Sequence, residues 1–325
     1  MKVSNALAAC AALGLWLFAG AAVAQQYPVK PVRIVTPFAA GSGPDGVLRV
    51  VGQKLSALWG QQVVVENRPG GNGFIAIEAA KKAPADGYTL VQMDDTHMAL
   101  QPHLYRKIPY DVARDFDPVA ALFRTHFFVV VPKESAWKNV ADIVAAARAK
   151  PGDVTYGSWF VGSPGHLGGT MLEAQTGVQM THIPYKEASQ LYSAVGNGDV
   201  AWAFGSAGSS GAMYRAGKVK YIAIAAPTRF AGFPDVPTMA EAGGPADLEV
   251  KAWVALFAPR GTPAPAVARV NEDLRKVLAD PEVRERFATF GFEPYAASPA
   301  EITREMQADL KRYGEVVQRA KISID

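Results

Sequence analysis

The sequence has few of the residues that carry metal, disulfide or nucleophile chemistry. Its 325 residues include one cysteine, Cys10, and five histidines, and no two histidines have the spacing of a zinc-binding helix. No serine lies in a Gly-x-Ser-x-Gly elbow, and no glycine-rich loop ends in Lys-Ser or Lys-Thr. These absences argue against a disulfide scaffold, a metal centre, a nucleotide loop and a bound cofactor.

Neither positive nor negative side chains are in large excess. The formal net charge is +3, and no basic cluster is interleaved with aromatic residues, so we do not expect nucleic acid as a partner. Hydrophobic residues make up 49% of the chain, which is enough for one large domain or two lobes with their own cores.

The N-terminus is typical of an export signal. Lys2 precedes an apolar stretch over residues 6–19, and Ala22-Val23-Ala24 is a small-x-small cleavage site. The apolar stretch is too short to span a bilayer, and most of it follows Cys10, which argues against a lipoprotein. We therefore expect residues 1–24 to be a signal peptide and the mature protein to lie in the bacterial periplasm.

A glycine-rich loop between a predicted strand and a predicted helix is the first candidate site. The apolar run 32–36 predicts a strand, and apolar residues at 47, 48, 51, 55 and 58 predict one apolar helix face. The loop between them offers free backbone N–H groups at the positive end of a helix dipole, which favours an anion. Asp45 either belongs to this site or caps the helix.

The same pattern recurs in the middle of the chain. A predicted strand over 154–157 leads into a loop, and Ser163 and Pro164 have the residue types of a helix cap and first helical position. Alternating strands and helices predict mostly parallel sheets covered by helices, with ligands at the carboxyl ends of the strands. Two such helix N-termini, far apart in sequence, predict two lobes that share a cleft.

Several side chains near these loops allow two interpretations. Trp159 and Phe160 stack on a flat ligand or pack into the core of their own lobe. Asp94 and Asp95 accept from an amine or hydroxyl of the ligand or cap the next helix. His166 is structural or a neutral donor, because a helix N-terminus disfavours its cation.

A series of short motifs resembles the substrate-binding proteins of tripartite tricarboxylate transporters, also called Bug receptors. The motifs lie within residues 27–35, 37–41, 66–70, 86–90, 109–116, 162–167, 184–186, 234–243 and 258–263. They run in order across nearly the whole mature chain. Departures from the common pattern are Pro44, which stiffens the first loop, the aromatic pair at 159 and 160, and the run 94–97.

The resemblance implies an α/β fold of the two-lobed periplasmic-binding-protein class, type II-like, with a ligand cleft between the lobes. We expect one lobe over 25–126 plus 254–325 and the other over 127–253. The ligand is expected to be a small carboxylate held by backbone N–H groups, hydroxyls and water. The same resemblance implies that the protein delivers the ligand to a membrane permease or to a sensor protein. A monomer fits this class.

The predicted ligand site combines three glycine-bearing loops with the segment at 95 and 96. Its residues are Phe38, Ala39, Ala40, Gly41, Ser42, Gly43, Asp45, Asp95, Thr96, Ser158, Trp159, Phe160, Gly162, Ser163, Gly165, His166, Gly205 and Ser206. The aromatic pair favours an aromatic dicarboxylate such as terephthalate, which would use both helix N-termini. An aliphatic di- or tricarboxylate is the alternative ligand.

A secreted serine hydrolase is the alternative class. Ser42, Ser163, His97 and His166 supply suitable residue types, but Ser163 and His166 lie three residues apart on one predicted helix, so neither obviously reaches the other's reactive atoms. We therefore expect a binding protein and not an enzyme.

Export of the full chain in a Gram-negative host tests the predicted signal. We expect a periplasmic product that begins at Gln25, because Ala22 and Ala24 present small side chains to the signal peptidase. Intact-mass spectrometry of the purified product measures the cleavage site. Ala24→Arg should block cleavage, and a wild-type product that retains residues 1–24 would contradict the prediction.

Overall fold

The structure is a computed structural model that describes residues 27–159 and 161–320. Its strands form two separate sheets. The sheets have the strand orders β11-β4-β10-β3-β1-β2 and β7-β6-β8-β5-β9. The strands are β1 Val32–Thr36, β2 Val63–Asn67, β3 Thr89–Asp94, β4 Phe116–His126, β5 Phe128–Pro132, β6 Thr155–Ser158, β7 Thr181–Pro184, β8 Trp202–Gly205, β9 Val219–Ile224, β10 Lys251–Pro259 and β11 Glu293–Pro294. The predicted two-lobed α/β fold is confirmed.

Helices flank both sheets. They are α1 Gly43–Trp59, α2 Phe74–Lys81, α3 Gln101–Leu104, α4 Val112–Asp115, α5 Val140–Ala149, α6 Pro164–Thr176, α7 Ala188–Asn197, α8 Ala207–Arg215, α9 Ala264–Ala279, α10 Pro281–Thr289 and α11 Pro299–Ala320, with a π-helical segment at Thr96–Leu100. On α1, Val47, Leu48, Val51 and Leu55 are buried as their spacing predicts, whereas Leu58 is exposed. Over the described residues, no helix has the length and apolar character needed to cross a membrane.

Both sheets are mixed, which corrects the expectation of mostly parallel sheets. In the first sheet β1 pairs in parallel with β2 and β3, but β10 and β4 add antiparallel pairs. In the second, β6 pairs in parallel with β7 and β8, and β5 runs antiparallel to β8 and β9. The parallel pairs come from strand–helix–strand units. The antiparallel pairs of β4 with β10 and of β5 with β8 and β9 lie on either side of the point where the chain passes between the lobes.

Strand β4 was not predicted from the sequence. Its 11 residues include Pro118, which cannot donate to a sheet ladder, and its pairing with β10 shifts register twice. These irregularities hide the alternation that identifies a strand. Their consequence is a long strand that ends at His126, directly before the second sheet begins.

Two neighbouring chain segments connect the lobes. The chain leaves the first sheet at His126 and returns to it at Lys251, and the N–H of Phe127 donates to the carbonyl of Val250 at 3.0 Å. The proposed lobe boundaries near residues 126 and 254 remain a prediction, and β10 already begins at Lys251.

The C-terminal helix α11 belongs to the first lobe and also packs on the second. Leu167 of α6 is buried in the same apolar cluster as Met98, Leu104 and Tyr313. The two lobes therefore share a core beneath the first turns of α6.

The buried contact between Trp253 and Asp309 ties α11 to the first sheet. The indole N–H donates to Asp309 Oδ2 at 2.8 Å, and both side chains are buried. Asp309→Leu leaves this donor without an acceptor, and we expect the free energy of unfolding to fall by about 2 kcal/mol.

Denaturant titration of this variant beside Asp309→Asn, which keeps an acceptor, measures the effect. Gln307→Leu, at an exposed position of the same helix, is the matched control. Equal losses for Asp309→Leu and Gln307→Leu would contradict the prediction.

Candidate functional site

Side chains from two neighbouring strands hold the first glycine-rich loop. Asn67, at the end of β2, donates from its amide to the carbonyl of Phe38 at 3.0 Å and to Asp45 Oδ1 at 2.7 Å. Asp45 Oδ2 accepts from the N–H of Gly41 at 2.8 Å and from Arg49 at 3.0 Å. The Asp45 carboxylate is therefore fully committed to the loop, and this residue has only its backbone left for a ligand.

The charge of Asp45 is balanced inside the loop. Burial acts to raise the pKa of this carboxyl, but hydrogen bonds from Arg49, Asn67 and Gly41 outweigh burial and lower the pKa below its usual value. The guanidinium of Arg49 is likewise occupied, because it also donates to Asn67 Oδ1 at 2.7 Å. Attraction for an anion at this loop thus comes from the helix terminus and not from a free side-chain cation.

Part of the backbone at this loop is already used. The N–H of Phe38 donates to Thr36 Oγ1 and that of Ser42 to the carbonyl of Ala39, in addition to the bond between Gly41 and Asp45. The expectation of a wholly free set of N–H groups is therefore wrong. Among the described contacts, no bond engages the N–H groups of Ala39, Ala40 and Gly43, and Ala39 and Ala40 are exposed.

Ser42 has the backbone geometry of a helix N-cap but makes no side-chain capping bond. Its hydroxyl oxygen is buried and has no partner among the described residues. Below it, Thr36 donates to Gln92 at 2.7 Å, and Gln92 donates to the carbonyl of Pro44 at 3.3 Å. The polar groups at the floor of the loop are thus hydrogen-bonded, whereas the Ser42 hydroxyl has no partner among the described residues.

The end of β3 places two carboxylates in different environments. Asp94 pairs with the ring of His97, and although burial acts to raise the Asp94 pKa, His97 outweighs burial and lowers it. Asp95 is buried, and its Oδ2 accepts from the Tyr313 hydroxyl of α11. Burial, followed by the charges of Asp94 and Asp309, raises the Asp95 pKa well above its usual value.

The structure therefore turns the Asp95 side chain toward α11. Only Oδ2 bonds to Tyr313, whereas Oδ1 is buried without a partner among the described residues, and Asp95 stays a predicted ligand residue. Thr96 begins the π-helical segment and is partly exposed.

The second glycine-rich loop is stabilised by a neutral imidazole. Ser163 caps α6 by accepting from the N–H of His166 at 3.4 Å, and the N–H of Gly162 donates to His166 Nδ1 at 3.0 Å. His166 is therefore structural in this loop, and the N–H of Gly162 is occupied. The first turn of α6 keeps N–H groups without intrahelical partners, that of Gly165 among them.

A second histidine supports this loop from the neighbouring strand. The rings of His166 and His182 stack with centroids 3.9 Å apart, and His182 Nε2 lies 2.7 Å from the hydroxyl oxygen of buried Ser158. Burial and the nearby His182 lower the pKa of His166 to about 4, and burial lowers the pKa of His182 to about 4. Both rings are neutral at pH 7.

Trp159 packs against its own lobe on one side. Its ring stacks on Phe127 with centroids 5.6 Å apart, and a Cβ on Gly165 would lie 3.1 Å from Trp159 Cζ3. The side chain remains partly exposed. Gly165 thus allows the indole to lie against the helix start. Phe160 lies outside the described residues.

In the third predicted loop, at Gly205 and Ser206, serine hydroxyls bond to the backbone at the start of the next helix. Ser206 and Ser209 form a reciprocal capping box at the start of α8, so the Ser206 N–H and hydroxyl are both used. Gly205 is required by close packing, because a Cβ there would lie 2.8 Å from Ser210 Oγ and from Tyr192. Gly205 and Ser206 therefore determine the shape of the chain at the end of β8, and the Ser206 N–H and hydroxyl are already hydrogen-bonded.

Contacts between the lobes bring these loops to one region. A Cβ on Gly162 would lie 2.9 Å from Leu104 of the first lobe, and a Cβ on Gly208 would lie 2.3 Å from the carbonyl oxygen of Phe290. Phe290 in turn packs against Gly46 in the first turns of α1. The N-terminal ends of α1 and α8 therefore lie near Phe290, and the loop before α6 lies against Leu104.

Two residues that hold the loops were not singled out from the sequence. Asn67 lies within the motif 66–70, and His182 lies two residues before the start of the motif 184–186. Both residues could have been identified in the sequence from their place at or near the carboxyl end of a strand beside a glycine-rich loop. Over the described part of the chain, no group of three or more histidine, cysteine or acidic side chains could hold a metal ion.

The model of the tripartite tricarboxylate transporter family receptor matches residues 47–322. The chain belongs to this family. BugT of Bordetella pertussis is 31% identical to this receptor over 296 residues, which cover 91% of this chain and 90% of BugT.

Two solved structures share the fold of this receptor. Rpa4515 of R. palustris, solved with adipate, is 32% identical with a TM-score of 0.79, covering 92% of this chain and 100% of that one. MatC of Rhodopseudomonas palustris, solved with malate, is 29% identical with a TM-score of 0.73, covering 90% and 100%.

Family membership confirms the prediction of a transport receptor and not an enzyme, so the hydrolase alternative is excluded. Receptors of this family bind small carboxylates and work with components of a tripartite transporter, and relatives described as periplasmic support a periplasmic location.

Removal of the Asn67 amide tests whether it positions the first loop. Asn67→Ala deprives the Phe38 carbonyl and Asp45 Oδ1 of their shared donor, and we expect carboxylate affinity to fall about tenfold, or about 1.4 kcal/mol. Isothermal titration calorimetry measures the change.

Asn139→Ala is the matched control for this variant. It removes the cap of α5 in the second lobe and should lower the melting temperature without changing ligand affinity. An Asn67 variant that keeps full affinity would show that the loop holds its shape without this amide.

The neutral histidine pair predicts acid sensitivity. Both rings charge at about pH 6.5 in the unfolded chain but only near pH 4 when folded, so the unfolded state binds more protons between these values. Their contribution to stability is complete above pH 6.5 and falls as pH decreases toward 4.

Melting temperatures between pH 7 and pH 4 measure this slope. The variant with His166→Asn and His182→Gln cannot gain these protons and should show a flatter profile, whereas His103→Gln, at an exposed position, should follow the wild type. Parallel profiles for all three proteins would disprove the assignment.

Proposed function

We propose that this receptor captures a small dicarboxylate in the interlobe cleft and delivers it to the membrane subunits of a tripartite tricarboxylate transporter. One carboxylate of the ligand binds at the loop 38–45, and the other lies against the N-terminal end of α6. The ligand favoured is an aromatic dicarboxylate of the terephthalate kind.

The proposal is supported by a pair of helix N-termini, α1 in the first lobe and α6 in the second, together with the contacts between the lobes at Gly162 and Gly208. Each helix is preceded by a glycine-rich loop with backbone N–H groups still available, and a helix N-terminus favours negative charge. The buried Ser42 hydroxyl, without a partner among the described residues, adds a donor at the first end. A molecule with a carboxylate at each end satisfies both.

The preference for an aromatic ligand rests on Trp159. The indole is partly exposed beside the start of α6, while its other surface stacks on Phe127. A flat ligand gains stacking energy there, about 0.5–1.5 kcal/mol beyond the area that it buries.

A linear aliphatic dicarboxylate is the second candidate. The solved relatives with adipate and with malate each hold a dicarboxylic acid, and they are 32% and 29% identical to this chain. Such a ligand would use the same two helix N-termini without stacking on Trp159.

Thermal melting of the mature protein against a panel of acids tests the proposal. The panel holds terephthalate, benzoate, adipate, malate, citrate and aspartate at one common concentration, and a ligand whose dissociation constant lies 100 times below that concentration stabilises the fold by about 2.7 kcal/mol. We expect the largest shift with terephthalate and a smaller one with benzoate, which lacks the second carboxylate.

Trp159→Leu separates the two candidates. If the ligand stacks, this variant loses affinity for terephthalate by about three- to tenfold and keeps its affinity for adipate. Trp137→Leu, in the same lobe but at the start of α5, is the control for general loss of packing. Shifts with aliphatic acids alone would assign the cleft to the second candidate, and shifts with none of the dicarboxylates would reject both.

A further inference from the structure

His97 lies where three loops of the first lobe meet. It belongs to the π-helical turn after β3, and Phe38 begins the loop after β1, the neighbouring strand in the sheet. The rings of His97 and Phe38 meet edge to face with centroids 6.0 Å apart. A Cβ on Gly73, in the loop after β2, would collide with His97 Nε2, so glycine leaves the room that the ring needs. The imidazole therefore lies beside the loop that is predicted to hold a carboxylate.

Asp94 orients this imidazole. Its Oδ1 pairs with His97 Nδ1 and also accepts the backbone N–H of His97 at 3.0 Å. The backbone N–H of Asp94 also approaches Nδ1, but at 3.4 Å this is the weaker contact. Nδ1 therefore carries the proton of a neutral ring and donates it to Asp94, which turns Nε2 away from that carboxylate.

The turn that carries His97 is fixed by its own hydrogen bonds. The Tyr110 hydroxyl lies 2.9 Å from the His97 carbonyl oxygen and 2.5 Å from Gln101 Oε1, and the Gln101 amide donates to the carbonyl of Asn72 at 2.8 Å. Single π-helical turns are rare and are frequently found at functional sites. The position of the ring is thus set by the protein before a ligand arrives.

Nε2 is the atom of this ring that is left for a ligand. The His97 side chain is 9% exposed, and among the described residues no hydrogen bond engages Nε2. Unlike the Ser42 hydroxyl oxygen, Nε2 is not sealed from solvent. A nearly buried imidazole with one nitrogen committed to a carboxylate and the other open has the geometry of a ligand contact.

Few titratable groups surround the ring. Asp94 and Asp95 lie on its own segment, and Tyr110 lies at its carbonyl. The C-terminal helix α11 contributes the groups that act on Asp95, which are Tyr313, Arg312 and Asp309. The loop at 71–73 and the ring of Phe38 bring no charge to the imidazole.

A carboxylate beside Nε2 favours the protonated ring. A neutral ring with its proton on Nδ1 presents a lone pair at Nε2, and this lone pair repels an anion. A nearby negative charge favours the cationic form of an imidazole, which then donates from both nitrogens. No other cation is available at the first loop, because Asp45 and Asn67 occupy the guanidinium of Arg49.

We propose that His97 Nε2 binds the ligand carboxylate at the loop 38–45, and that the ring takes up a proton when the ligand enters. The inference rests on the proposed function, since it names a side chain that selects for negative charge at one end of the captured dicarboxylate. Asp94 is the positioning residue for this contact.

Calorimetry of the mature protein with terephthalate and with adipate tests the proposal. Titrations at pH 8 in HEPES and in Tris, two buffers with different enthalpies of ionisation, count the protons taken up on binding. An imidazole is ordinarily neutral at this pH. Wild type should therefore take up protons, and its affinity should fall as the pH rises from 6 to 8.

Two variants separate the contact from the fold. His97→Asn keeps a donor near the position of Nδ1 for Asp94 but has no atom at the position of Nε2, so affinity should fall about tenfold. His97→Gln places an amide nitrogen near the position of Nε2 and should stay within about threefold of wild type, but without proton uptake. His103→Gln, at an exposed position, is the matched control and should keep both the affinity and the proton uptake of wild type.

Wild-type affinity in His97→Asn, or binding by wild type without proton uptake, would overturn this inference and leave the proposed function intact. If no dicarboxylate binds wild type, the proposed function and this inference fail together. Melting temperatures of the ligand-free variants check that each is folded. Should His97→Asn not fold, the proton count of His97→Gln decides, because uptake equal to wild type would assign the proton to another group.

Discussion

The hydrogen bond from Phe127 to Val250 joins the two segments through which the lobes are connected. It places the end of β4 beside the start of β10, so that the two sheets meet at one edge of the molecule. Every cleft contact described above depends on this arrangement, because it sets α6 against α11 and the loop at 162 against Leu104. Phe127 also supports Trp159, which links the connection directly to the cleft.

The two glycine-rich loops are held in place by different side chains. Each must stay ordered without placing an uncompensated negative charge beside an anion. In the first lobe the ordering group is the Asp45 carboxylate, whose charge Arg49 balances at 3.0 Å. In the second lobe it is His166, which burial keeps neutral and which accepts the Gly162 N–H. Both loops are thereby held by side-chain acceptors.

The structure also explains why the receptor couples its two lobes so closely. Leu167 reaches from the ligand helix of one lobe into the core of the other, and Tyr313 connects that core to Asp95 at the end of β3. The first turns of α6 are therefore joined to α11 by packed side chains.

The sequence by itself determined the elements that depend on near neighbours. The apolar face of α1, the Ser163 cap and the two glycine-rich loops follow from spacing and residue type, and the ordered motifs indicated the family. Only the tertiary structure decided how polar groups distant in sequence pair with one another. Asp45 Oδ1 accepts from Asn67, 22 residues away, and Asp95 Oδ2 accepts from Tyr313, 218 residues away. Local spacing cannot reveal such partners, because they are set by which strands and helices the fold places side by side.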